Sequence, residues 1–209
     1  MIHIASLIPA IFLAATTAAQ PPPDPIAGVH LLEHPPRADA PPMLATDADS
    51  AHSYDALHLA VTVVPDLEER EFAATVTMTI LTVDSLLEAV PMHLLAEVDS
   101  AFVNGEPAEY DRFAQTLTIT LPEPAARGDT ATVTVHYHRN LPGGDISGGM
   151  IYNDGVLYTL GEPYMTRYWL ACWDLPFDKV TSEVTVILPD DYLVLSNRSR
   201  PLSLSLIHI

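Results

Sequence analysis

Basic residues and cysteine are scarce in this chain of 209 residues. It carries 9 Lys and Arg against 27 Asp and Glu, which gives a formal net charge of −18 at pH 7. A surplus of negative charge repels phosphate backbones and anionic lipid surfaces, so neither nucleic acid nor a membrane surface is expected as a partner. The single cysteine, Cys172, cannot form an internal disulfide, so an ordinary apolar core has to supply the stability.

Several catalytic motifs are also absent. The sequence contains no H-E-x-x-H, no C-x-x-C and no G-x-S-x-G, and no Gly-Lys-Ser/Thr follows its glycine-rich stretch at 143–149. The first two absences remove common zinc sites, the third removes the serine-hydrolase turn, and the last removes a phosphate-binding loop. With 27 acidic residues, a pair of carboxylates for glycoside hydrolysis stays an open alternative. Nothing in the sequence sets the separation of any such pair.

Isolated candidate ligands and nucleophiles have plain structural interpretations. His136 and His138 have the i, i+2 spacing that places two imidazoles on one strand face, but two ligands do not complete a zinc site. Solvent-facing histidines of an edge strand are favoured there, and His58 and His93 stand alone. Cys172 has apolar neighbours, which favours a buried and inert thiol over a nucleophile.

The N-terminal 53 residues contain two segments that are not predicted to join the folded domain. Residues 1–19 form an apolar run that ends in small residues, which predicts a secretory signal peptide and a secreted or periplasmic protein. An uncleaved N-terminal anchor is the alternative. Residues 20–53 contain prolines in pairs and triplets without a regular period, which is typical of a linker.

From residue 54 onward the sequence alternates between apolar and polar side chains. The pattern predicts strands at 57–64, 72–83, 89–95, 116–121, 130–138, 180–188 and 192–197. Asn104-Gly105 and Asn153-Asp154-Gly155 are hairpin turn signals. We therefore predict an all-β domain over 54–197, an antiparallel β-sandwich. Residues 198–209 form an atypical apolar tail, for which truncation of a longer protein is favoured over a natural terminus.

The stretch from 159 to 197, TLGEPYMTRYWLACWDLPFDKVTSEVTVILPDDYLVLSN, resembles the segment that closes the N-terminal domain in the aminopeptidase N family of zinc metallopeptidases. The resemblance covers roughly residues 53–197, and the sequence departs from the family pattern at Thr166, Ala171, Leu175 and Arg198. The residues that match the pattern are Thr159, Glu162, Pro163, Arg167, Cys172, Asp174, Pro176, Lys179, Thr181, Ser196 and Asn197.

This resemblance implies a saddle-like N-terminal β domain and roles for some of its residues. Arg167 and Asp174 would form a buried pair that fixes the backbone at the junction with the catalytic domain. Glu162 would bind the free α-amino group of the peptide substrate. The other residues assigned to the junction are Trp169, Cys172, Trp173, Pro176, Phe177 and Lys179. Because the junction would normally abut a second domain, we expect exposed apolar surface around Trp169, Trp173 and Phe177.

The sequence is thus interpreted as the N-terminal, non-catalytic domain of a secreted zinc aminopeptidase. Its expected partners are a C-terminal catalytic domain, which would hold the zinc, and the peptide substrate. The chain alone is expected to contain no catalytic residue, bind no metal and have no activity. The alternative is a stand-alone β-sandwich that serves as a binding or scaffold module, and the coding sequence downstream of residue 209 would separate the two.

Overall fold

The computed structural model describes residues 11–15, 53–141, 149–175, 178–189 and 192–196. Within these ranges the regular structure is almost entirely strand, interrupted by one 3₁₀ turn at Thr166–Tyr168. The strands are β1 Ile11–Ala15, β2 Tyr54–Asp66, β3 Glu71–Thr82, β4 Leu86–His93, β5 Glu97–Val103, β6 Glu106–Pro107, β7 Tyr110–Phe113, β8 Thr116–Ala126, β9 Thr130–Asn140, β10 Met150–Asn153, β11 Val156–Thr159, β12 Thr181–Val186 and β13 Tyr192–Ser196.

The strands form three sheets. The largest has the order β12-β2-β3-β9-β5-β6, a second has β4-β8-β7, and a third has β10-β11-β1-β13. Among the described strands, pairing is antiparallel except between β12 and β2, which run parallel with Thr181 opposite His58. The predicted all-β antiparallel fold is confirmed. In the parallel pair, β12 lies at the edge of the sheet beside β2, and the strands between them in the chain form the long connection that parallel pairing requires.

The apolar core contains buried side chains from all three sheets. Alternate residues of β3 and β9 are buried, while the residues between them are partly or fully exposed. Such alternation places one apolar face of each strand on the core. Buried side chains of β4 and β8 belong to the same apolar cluster. Removing this apolar surface from water stabilises the fold by roughly 25 cal/mol per Å².

The two predicted hairpin turns occur where the sequence signals placed them. Asn104 and Gly105 both have positive φ values, 52° and 86°, between the paired residues Val103 and Glu106. Asp154 and Gly155 have φ values of 48° and 79° between paired Asn153 and Val156. Two positive φ values in a two-residue loop match the twist of the flanking strands, which is why Asn, Asp and Gly occupy these positions.

Parts of the predicted organisation stay predictions. Strand β1 lies within the predicted signal peptide and pairs antiparallel with β11 and β13; no observation tests whether residues 1–19 are removed as a leader. Most of the predicted linker over 20–53 and all of the tail over 198–209 lie outside the described residues. No helix in the described ranges is long and apolar enough to cross a membrane.

Candidate functional site

A buried ion pair organises the segment that follows β11. The Arg167 Nε donates to Asp174 Oδ2 over 2.8 Å, and the two side chains are only 3% and 8% exposed. The Arg167 backbone N–H donates to the same oxygen over 3.2 Å, and Nη2 donates to the Asp174 carbonyl oxygen over 3.1 Å. The pair therefore fixes two points of the backbone, as well as two charges, relative to each other.

Neighbouring strands hold this pair in place. Gln115, in the turn between β7 and β8, accepts a hydrogen bond from Arg167 Nη1 over 2.8 Å. The Leu95 N–H donates to the Arg167 carbonyl oxygen over 2.7 Å. His93 forms an antiparallel bridge with Cys172, and its Nδ1 accepts a bond from the Asp174 N–H over 3.1 Å. The segment is consequently tied to the three-stranded sheet at several separate atoms.

Burial governs the electrostatics of this segment. It raises the pKa of Asp174 above its ordinary value, while the hydrogen bonds and charge of Arg167 oppose that rise. Burial also raises the pKa of the Cys172 thiol well above its usual value. Cys172 is buried and free. The thiol is therefore held in its neutral form, as its apolar neighbours predicted, and is not prepared for nucleophilic attack.

Trp169 contradicts the expected exposed apolar surface. Its side chain is 1% exposed, and its carbonyl oxygen accepts a hydrogen bond from the buried Tyr137 hydroxyl over 2.9 Å. Trp173 is partly buried and packs against His93 with ring centroids 4.9 Å apart. The expectation was wrong for Trp169, because the indole is buried within the β domain. Trp173 is only partly buried and Phe177 lies outside the described residues, so exposed apolar surface around these two residues stays a prediction.

Glu162 lies on a tight turn directly before the ion pair and is exposed. The Met165 N–H donates to the Gly161 carbonyl oxygen over 3.1 Å and closes this turn, residues 161–165. At its start, the Leu160 N–H donates to the Gly149 carbonyl oxygen over 2.7 Å. The turn presents the Glu162 carboxylate to solvent while both its ends are attached to buried structure.

The remaining sequence candidates are placed apart from this turn. Lys179 is exposed just before β12, and Glu183 is exposed on β12. Pro176 and Phe177, which were assigned to the junction, lie outside the described residues. The structure thus brings Arg167, Cys172 and Asp174 together with the two tryptophans, and it leaves Lys179 at the periphery.

His136 and His138 do lie on one solvent-facing side of β9, but the prediction of an edge strand was wrong. Strand β9 is central, between β3 and β5. His138 Nδ1 contacts Asp99 at 2.8 Å, and His136 Nδ1 contacts the Thr75 hydroxyl at 2.8 Å. Within the described ranges, no group of three or more His, Cys, Asp or Glu side chains is placed to hold a metal ion. Among the described residues, these histidines and their neighbours therefore do not form a zinc centre.

Sequence reasoning missed three contributors to the site. Gln115 and Tyr137 contact the segment from 52 and 32 residues away. His93 was interpreted as isolated, although it accepts a hydrogen bond from Asp174. No local pattern could have found them, because their role depends on how distant strands pack. A buried arginine in the sequence does, however, require acceptors beyond one carboxylate, since guanidinium carries five N–H donors.

The geometry defines a β domain with a buried ion pair in the segment before β12, and comparison with known proteins gives its family. Residues 50–204 match the Peptidase M1 N-terminal domain. The chain therefore belongs to the M1 peptidase family and represents its N-terminal domain, a non-catalytic part of a metallopeptidase. A search of the curated proteins finds no match.

Solved structures agree with this assignment. An M1 zinc metallopeptidase from Deinococcus radiodurans is 30% identical with a TM-score of 0.57, and the match covers 64% of this chain and 32% of that one. A mutant of the same enzyme with bound Tyr-Ser-Ala substrate is 29% identical, with a TM-score of 0.57 and the same coverage.

A two-domain M1 zinc metallopeptidase mutant bound to L-tryptophan is 29% identical, with a TM-score of 0.58, and the match covers 65% of this chain and 33% of that one. The chain matches about a third of the length of these structures. The predicted resemblance to the aminopeptidase N family is thereby confirmed. Each of these similar enzymes is named as a zinc metallopeptidase.

Proposed function

We propose that this domain serves in a secreted or periplasmic zinc aminopeptidase, where it binds the free N-terminus of the peptide substrate through Glu162. The supporting observation is the placement of that carboxylate. It is exposed on a closed turn, and the buried Arg167–Asp174 pair follows directly in the chain. A catalytic domain joined to this one supplies the zinc and the hydrolytic chemistry in this proposal.

A fixed carboxylate suits the task of an exopeptidase. The N-terminus of a peptide is a cation at neutral pH, whereas an internal amide is neutral. A carboxylate at the end of a cleft attracts the cation and sets the position of the first peptide bond, so one residue contributes both affinity and register. The structures of similar M1 enzymes with bound Tyr-Ser-Ala or L-tryptophan support a ligand with a free amino group.

Steady-state kinetics of Glu162→Ala test this role, with the domain joined to its catalytic domain. Losing one partner of a desolvated charge pair costs ~2–5 kcal/mol, which corresponds to a loss of about 30-fold or more in kcat/KM. The melting temperature and zinc content should stay the same, because the Glu162 side chain is exposed. Glu183→Ala is the matched control, since Glu183 is an exposed glutamate on β12.

A pair of inhibitors makes the test specific for the amino group. L-Tryptophan should inhibit the unaltered enzyme more strongly than N-acetyl-L-tryptophan, and Glu162→Ala should remove most of that difference. Equal, small effects of Glu162→Ala and Glu183→Ala, with the inhibitor preference intact, would remove Glu162 from the site. A chain that occurs without a catalytic domain would instead support the alternative of a scaffold module.

A further inference from the structure

We infer that Gly149 is a positioning residue for Glu162, because it holds both ends of the turn that carries this carboxylate. The inference rests on the proposed function of Glu162 and extends it to a residue outside the turn. Gly149 lies directly before β10 and is buried. It is separated from Glu162 by a complete β-hairpin, β10 and β11.

The first contact of Gly149 is at the start of the turn. Its carbonyl oxygen accepts the Leu160 N–H over 2.7 Å, immediately before the turn begins at Gly161. The second contact is at the end of the turn. A Cβ atom added to Gly149 would lie 1.9 Å from the Met165 carbonyl oxygen and 2.9 Å from its carbonyl carbon. Only a residue without a side chain allows the backbone of Met165 to approach so closely.

The surrounding contacts decide which atoms would move if a side chain were added. The same Cβ would lie 2.9 Å from Trp169 Cδ1, and Trp169 is fully buried with its carbonyl oxygen bound by Tyr137. The indole therefore cannot yield into the packed core at low cost. Residues 161–163 are exposed and Met165 is only partly buried, so the displacement falls on the turn rather than on the core. Glu162 then moves relative to anything fixed to the rest of the domain.

A side chain at Gly149 would clash with neighbouring atoms, but it would not strain the backbone dihedral angle φ. The described glycines with positive φ are Gly105, Gly128 and Gly155, and Gly149 is not among them. Gly105 provides a matched control because it has a φ of 86° and no atom within 4 Å of an added Cβ. Gly105→Ala strains the backbone of a distant hairpin and leaves the turn at 161–165 untouched.

The experiment compares Gly149→Ala, Gly105→Ala and Glu162→Ala in the enzyme that contains both domains. A displacement near 1 Å can cost about 100-fold in rate. We expect Gly149→Ala to reduce kcat/KM at least tenfold, mainly through a higher KM, and to weaken the preference for L-tryptophan over its N-acetyl form. Gly105→Ala should leave both quantities unchanged. The double variant Gly149→Ala/Glu162→Ala should have the same kcat/KM as Glu162→Ala alone. Once the carboxylate has been removed, displacing the turn has no further effect on substrate binding.

Gly161→Ala keeps the inference testable if Gly149→Ala does not fold. Its Cβ would lie 3.0 Å from the Thr166 hydroxyl oxygen, so it presses on the same turn more weakly. We expect an intermediate rise in KM. In the 209-residue chain, faster amide hydrogen exchange at Leu160 and Met165 should accompany either substitution, because the Met165 N–H closes the turn and the Leu160 N–H attaches its start to Gly149.

The possible failures are distinguishable. If Glu162→Ala leaves kinetics and inhibitor preference unchanged, the proposed function is refuted and the inference with it. If Glu162→Ala impairs the enzyme while the variants at Gly149 and Gly161 behave like Gly105→Ala, only the inference is overturned. Additive losses in the double variant would also overturn it, since they would show that Gly149 acts independently of Glu162.

Discussion

Arg167→Met should be the most destabilising single change at the junction. Arg167 is 3% exposed and forms three side-chain hydrogen bonds of 2.8 to 3.1 Å, to Asp174 Oδ2, the Asp174 carbonyl oxygen and Gln115. Removing one partner of a buried ion pair leaves the other charge without compensation and costs about 3–5 kcal/mol. For a domain of this size, that corresponds to a fall in melting temperature of roughly 6–20 °C.

The loss in stability should depend on pH through Asp174. Burial raises the pKa of this carboxyl group, and Arg167 opposes the rise, so the pKa in the folded state climbs further when Arg167 is removed. A carboxyl group whose folded-state pKa exceeds its unfolded-state value takes up a proton on folding, and stability therefore falls as pH rises between the two values. This interval is wider in Arg167→Met. The difference from the unaltered chain should be largest at neutral pH and shrink as pH is lowered.

Urea unfolding of the two chains at pH 7 and pH 5 measures both effects. Arg112→Met is the matched control, because Arg112 is partly buried and donates to the carbonyl oxygens of Leu94 and Ala96 rather than to a carboxylate. Its loss in stability should be the same at both pH values. Two results would refute the argument from an uncompensated Asp174. One is that Arg167→Met lowers the free energy of unfolding by less than about 1 kcal/mol at pH 7, and the other is that it lowers this free energy equally at pH 7 and pH 5.

Two further predictions concern the buried side of the junction. Cys172 should not react with a chromogenic thiol reagent until the chain is unfolded, because it is buried and burial raises its pKa; rapid reaction without denaturant would contradict this. Tyr137→Phe should lower the free energy of unfolding by about 1–3 kcal/mol, because it removes the hydroxyl that donates to the Trp169 carbonyl oxygen. Denaturant unfolding measures this loss, and an unchanged midpoint would show that the bond contributes nothing net.

The sequence predicts most of the fold because strand periodicity is a local property. Strands β3 and β9 have a regular alternation, and the predicted bounds differ from the observed ones by at most two residues. The hairpin at Asp154 and Gly155 follows from residue types that tolerate positive φ. The parallel pairing of β12 with β2 could not be predicted, because it joins segments more than a hundred residues apart and no local pattern records such a pairing.

The site was predictable only through the resemblance to the aminopeptidase N family. That resemblance implied a buried pair of Arg167 and Asp174, and the structure brings these two side chains together. The burial of Trp169 was missed because aromatic residues serve cores and interfaces equally well, and only the tertiary packing, which leaves this side chain 1% exposed, decides between them. The contacts of Gly149 were missed for a related reason. A glycine gives no signal of which backbone will approach it.

The buried ion pair is better explained by position than by stability. Well-packed apolar residues often replace such pairs at no cost in stability, so a stabilising role alone does not account for charges in this place. What apolar residues cannot reproduce are the bonds from the pair to the backbone. The Arg167 N–H binds Asp174 Oδ2, and Arg167 Nη2 binds the Asp174 carbonyl oxygen. These bonds fix the backbone after the turn that carries Glu162, and the Gly149 carbonyl oxygen binds the Leu160 N–H just before that turn. In the proposed function, backbone contacts on both sides of the turn would set the distance between Glu162 and the reacting bond, which is what recognition of a peptide N-terminus requires.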